Sequence, residues 1–150
     1  MEIKMQITDI THDDLVNLFS TALYGSSWLG CAYDKQAYIS SDLYDPKDCL
    51  EDRLAKILLN CGHIEIIDHY AEDEDDIQGH VLKEIHWDDE NECMRYAISL
   101  DDVKKGLQRA CKHDYAKTYV MNLCDQDGSF DQTEAEALMQ FIIFGEEVYG

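Results

Sequence analysis

Three short polar boxes limit the folds open to this 150-residue chain more than any other feature. Each sets Thr, Ser or Asp three residues ahead of a carboxylate: Thr11 with Asp14, Ser99 with Asp102, and Asp131 with Glu134. The first side chain accepts from the backbone N–H of the second residue, and the second carboxylate reaches back to the first N–H. Two of the four orphan donors at a helix start are thereby satisfied. Leu15, Leu18, Phe19, Ala22 and Leu23 follow the first box at helical spacing, with Gly25 as the stop. Leu100, Val103, Leu107, Ala110 and Cys111 follow the second, and Leu138, Met139, Ile142 and Ile143 the third, which ends at Gly145. A further helix is expected from Asp45 as N-cap and Pro46 as first helical residue, with Leu50, Leu54, Ile57 and Leu58 inward and Gly62 as its end. A helical stretch over about 115–123 either continues the helix of the second box or packs separately.

Between the helices the period changes to two. The stretch EIKMQI at 2–7 alternates Ile3, Met5 and Ile7, and HIEIIDHY at 63–70 is strand-like. A hairpin is expected from residues 79–87 and 93–98 about the turn DDEN at 88–91. Residues 26–45 read as a strand or an irregular loop. With one Pro and eight Gly there is little room for a linker, and no repeat recurs. The expectation is an α+β protein, a single compact domain over 1–150 with a small antiparallel sheet packed against about four helices. A chain this long buries roughly 70% of its unfolded surface without staples.

Charge narrows the function. The chain carries 32 acidic against 12 basic residues, a net −20, with a pI near 4.3. Such a molecule repels nucleic acid and anionic membranes over a Debye length of about 8–10 Å, and attracts basic proteins. From Cys61 to Glu92 there are twelve carboxylates and one Lys. Alternate strand residues share a face at about 6.6–7 Å intervals, so carboxylates there form an array. Asp73, Asp75, Asp76, Glu84, Asp88, Asp89 and Glu90 are the candidate partner-binding residues, with Trp87 as an aromatic anchor. The expected partner is a basic, nucleic-acid-binding protein, with no direct nucleic-acid or membrane contact.

Other constellations point to less. CDQDGSFDQTE at 124–134 places Asp125, Asp127, Asp131 and Glu134 as in a calcium loop, but its first ligand position is Leu123, and no second copy exists. His63 with His69, and His80 with His86, are read as strand pairs six residues apart, about 20 Å, too far to share a metal. The six Cys are spaced without a C-x-x-C and are expected mostly as small core residues in a reducing cytoplasm. No basic, then apolar, leader opens MEIKMQITDI, and no run reaches the roughly 20 apolar residues of a membrane span. No nucleophile elbow, zinc helix or phosphate loop occurs, so neither catalysis, metal nor cofactor is expected. Lys105, Arg109 and Lys112 form the one basic stripe. With aromatics near Trp28 it supplies an alternative reading, a sponge for a nucleotide immune signal.

Three stretches carry a resemblance: ITHDDLVNLFSTALYGSSWLGCAY near the start, MRYAISLDDVKKGLQ in the middle, and DQTEAEALMQFIIFGEEVYG at the end. They are similar to small acidic proteins encoded by phages and mobile elements of gut bacteria, over about half of the chain and not its acidic centre. The resemblance implies phage origin and carries no site residues. A small acidic protein of that origin looks like an anti-defence inhibitor of the anti-CRISPR or anti-restriction type, acting in the host cytoplasm. A structural or regulatory phage protein is the remaining alternative.

Overall fold

The computed structural model describes residues 9–125 and 128–149, so the strand expected at 2–7 lies outside the described residues. Ten elements follow one another: α1 (His12–Leu23), β1 (Leu29–Ala32), α2 (Lys35–Ile39), α3 (Leu50–Leu59), β2 (Ile64–Asp68), β3 (Ile85–Asp88), β4 (Cys93–Ile98), α4 (Leu100–Ala110), α5 (Asp114–Asp125) and α6 (Gln132–Ile143). The fold is α+β.

All three predicted boxes close. Thr11, Ser99 and Asp131 each accept from the N–H three residues on, and Asp14, Asp102 and Glu134 return the bond. Gly25 and Gly145 take the left-handed conformation (φ 83° and 84°) directly after the α1 and α6 caps, as a helix stop requires. Helix α6 is the hub. Ala137 through Ile143 are all buried, and α4, α1 and α5 pack around it. A helical stretch this rich in apolar residues has to be enclosed in this way. Gly106 lets α4 approach: a Cβ there would stand 2.6 Å from Ile142 Cγ1.

The four strands are antiparallel in the order β1-β2-β4-β3, with β1 and β3 as edges. Ile64, Ile66, Met94, Tyr96 and Ile98 join the helical residues in one core. Their neighbours Glu65, Arg95 and Ala97 point the other way, on a face carrying His86 and Asp88 as well. The result is two layers, helices on one side of the sheet.

Several expectations need correction. The segment 26–45 contains both β1 and the short α2, which Asp34 caps by accepting from Ala37 N. Asp45–Pro46 does not start a helix: Asp45 Oδ1 accepts from Lys47 N at 2.9 Å and its carbonyl from Asp48 N at 3.0 Å, closing a turn. Helix α3 begins at Leu50, after Cys49. The hairpin's first strand is shorter than expected. Gly79 has φ 63°, Leu82 is buried, and only Ile85–Asp88 pair with β4. His80 therefore lies in a loop and shares no strand with His86. Of the two readings of residues 115–123, the structure shows the separate helix: they belong to α5, distinct from α4. There are six helices among the described residues, not about four. Only Cys93 is buried; Cys31 and Cys111 are half-buried, and Cys49, Cys61 and Cys124 are exposed.

Candidate functional site

The open sheet face is organised around Arg95. Its Nε donates to Asp88 Oδ2 at 2.9 Å across the hairpin, and its guanidinium lies 3.4 Å from Glu65 Oε1 on β2. His86 Nε2 stands 3.6 Å from the other Glu65 oxygen. Asp88 also accepts from Asn91, from the side-chain amide at 2.8 Å and the backbone N–H at 3.1 Å. Those bonds, with Arg95 behind them, hold its carboxyl down to about 2. Asp88 thus anchors the turn, and its charge is already matched.

Trp87 plays a similar part. It is half-buried against the core, and its indole N–H donates to Asp89 Oδ1 at 3.1 Å. The side chain roots the hairpin in the protein. Glu90 is exposed at the turn, and Glu92 is exposed beside it with φ 51°.

The long loop after β2 is also built, not slack. Asp73 Oδ1 accepts from Asp75 N at 2.9 Å, and its carbonyl from Asp76 N at 3.1 Å. Asp76 accepts from Glu72 N at 3.0 Å and from the Gln78 amide at 2.7 Å. Glu72, Asp73, Glu74 and Asp75 remain exposed on that frame, while Asp76 is half-buried. Asp68 pairs with Met94, and Asp88 with Cys93, so this loop and the 89–92 turn leave the sheet at the same end. Glu84 is exposed at the opposite end of β3. The structure therefore gathers Asp73, Asp75 and Asp76 with Asp88, Asp89 and Glu90 at one end, and separates Glu84.

Beneath the loop lies a feature that sequence reading missed. Asp68 is fully buried, accepting from Tyr149 OH at 2.7 Å and Tyr70 N at 2.9 Å. Burial pushes its carboxyl up despite those donors, and burial followed by the bond to Asp68 pushes the Tyr149 hydroxyl up. Gln140 holds the same terminal segment: its side-chain oxygen accepts from Val148 N and Tyr149 N, both at 2.7 Å, and its amide donates to Tyr149 O at 3.1 Å. Trp28 fills the space between Tyr70, Phe144 and Tyr149, at ring separations of 5.9, 6.2 and 5.0 Å. The alternation Ile64, Ile66, Asp68 was the available signal that this carboxylate faces inward.

The basic stripe meets a cleft of about 270 Å³ where Lys105 and Arg109 stand with His63 and Lys83, but also with Glu84, Asp101 and Asp102. Lys105 pairs with Asp101 at 2.9 Å. Lys112 is exposed and does not line the cleft, and Trp28 is buried in the aromatic cluster. In the calcium-like stretch, Asp131 and Glu134 are engaged in the α6 box, and Glu134 also accepts from the Asn122 amide at 2.6 Å. Asp127 lies outside the described residues. Among the described residues no group of three or more His, Cys, Asp and Glu is arranged to hold a metal ion. No helix among them is long and apolar enough to cross a membrane.

The class defined by this geometry is a two-layer α+β protein with an open, charged sheet face and an acidic rim. Compared with family models, curated proteins and solved structures, the chain matches none of them.

Proposed function

We propose that this protein is a non-catalytic, phage-type anti-defence inhibitor. Its acidic rim enters the cationic nucleic-acid cleft of a CRISPR nuclease or a related DNA-handling enzyme of the host cytoplasm. One observation carries the reading: exposed carboxylates of the 72–75 loop and the 89–92 turn stand at the same end of a sheet, on loops held by their own hydrogen bonds. Preorganised loops lose little entropy on docking, and a concentrated negative field raises the encounter rate with a basic cleft. A nucleotide-sponge reading finds less support, because Glu84, Asp101 and Asp102 share the cleft of Lys105 and Arg109 and would repel phosphates.

The experiment is capture of partners from a bacterial lysate rich in defence systems, at low and high salt. The variant to compare combines Glu72→Lys, Glu74→Lys and Glu90→Lys and leaves Asp73, Asp76 and Asp88 to their structural tasks. The expected result is a nucleic-acid-handling enzyme recovered at low salt, displaced by its own guide or DNA, and bound weakly by the variant with a flatter salt dependence. Equal capture by the variant would reduce the acidic rim to a solubility device.

A further inference from the structure

Strand β3 closes one edge of the sheet, and among the described residues only β4 pairs with it. Ala97 N donates to Glu84 O at 2.9 Å, which makes Glu84 and Ala97 a hydrogen-bonded pair. In an antiparallel ladder such pairs alternate with unbonded ones. His86 with Arg95 and Asp88 with Cys93 are then bonded, whereas Ile85 and Trp87 turn their N–H and C=O groups outward. Among the described residues no backbone group outside the ladder meets them.

An edge of this kind is a template for another strand. A second copy of this chain is a poor occupant. Asp88 ends the four-residue edge, Glu84, Asp89 and Glu90 flank it, and each copy carries a net −20. The two faces of the edge differ in a way that specifies the visitor. Glu84, His86 and Asp88 occupy the open face at alternate positions, and Ile85 and Trp87, half-buried, occupy the other.

Resting on the inhibitor reading above, we propose that the partner contributes an extended segment of alternating basic and apolar residues that adds to β3 as a fifth strand. Its backbone bonds Ile85 and Trp87. Its Lys or Arg side chains, about 7 Å apart, reach Glu84 and the acidic turn, and its apolar side chains lie over Ile85 and Trp87. Attraction by the rim brings the segment in, and backbone pairing fixes its register.

The test uses the whole protein and two synthetic heptapeptides of alternating Lys and Val. One is unmodified, and the other is methylated on its central backbone nitrogens, with charge and side chains unchanged. Affinity is measured at low salt, together with amide exchange of the protein. The unmodified peptide is expected to bind at least about tenfold tighter, since methylation removes the two hydrogen bonds that its N–H groups donate to the Ile85 and Trp87 carbonyls. Exchange at Ile85 and Trp87 is expected to slow on binding. Equal binding by both peptides, or protection that falls elsewhere, overturns edge pairing and leaves the acidic attraction standing. Binding by neither peptide overturns both readings.

Discussion

The Tyr149 hydroxyl donates to the fully buried Asp68 carboxylate at 2.7 Å, joining the terminal segment to an interior strand of the sheet. A buried acceptor that loses such a donor costs about 1–3 kcal/mol. Tyr149→Phe is therefore expected to lower the unfolding free energy at neutral pH by that amount, read as a lower urea midpoint with an unchanged slope. An unaltered midpoint would mean that water replaces the bond.

Asp68 and Asp88 titrate in opposite directions from the ordinary carboxylate value of 3.8. Asp88 is held down to about 2, so the folded state binds fewer protons than the unfolded one between those values. Its stabilisation is present above 3.8 and is lost as pH falls toward 2. Asp68 is raised, so the folded state keeps its proton longer, and stability declines as pH rises from 3.8 through the folded value. Asp88→Asn is expected to flatten the acid limb of a thermal-melt profile, and Asp68→Asn the limb above it. Parallel profiles for the two variants would refute the opposite signs.

At Gly106 two effects compete. Alanine would raise helix propensity by about 1 kcal/mol, yet its Cβ would stand 2.6 Å from Ile142 Cγ1 in a packed core. Overpacking costs about 1–3 kcal/mol, and here the atoms beneath belong to the buried stretch Ala137–Ile143 of α6. Gly106→Ala is accordingly expected to destabilise, by up to about 2 kcal/mol net. Calorimetry showing a raised Tm would mean that α4 slides away freely.

Helix α3 ends in a six-to-one bond from Gly62 N to Ile57 O at 2.9 Å and a five-to-two bond from Cys61 N to Leu58 O at 3.2 Å. The left-handed residue between them is Cys61, at φ 64°. Glycine is the usual occupant, since a Cβ in that conformation costs about 1–2 kcal/mol. Because Cys61 is exposed and contributes no core packing, Cys61→Gly is expected to raise stability by about 1 kcal/mol, measured by denaturant titration. Gly62→Ala should do the reverse, its Cβ falling 2.9 Å from Ile57 O.

Local signals were legible where their physics is local. The boxes at Thr11, Ser99 and Asp131 join groups three residues apart, so a short window contains both partners. The Asp45–Pro46 pair misled for the complementary reason. Its dipeptide fits a helix start, but Asp48 just beyond it is drawn to Lys56, at 2.6 Å, and to the Tyr38 hydroxyl, and the chain turns before the helix can begin. The acidic centre was legible as charge and illegible as arrangement. Seven carboxylates looked equivalent in sequence, and Arg95, Asn91 and the Trp87 indole then separated engaged from free.

The amino-acid sequence by itself determined the class of fold, the ends of three helices and the sign and density of the field. These depend on residue types and on bonds spanning a single turn. Tertiary structure alone decided which carboxylates face outward, that Asp68 is sealed under a tyrosine 81 positions away, and that β3 lies at an edge of the sheet among the described residues. Burial and pairing depend on what the rest of the chain brings alongside, and no local stretch contains that information.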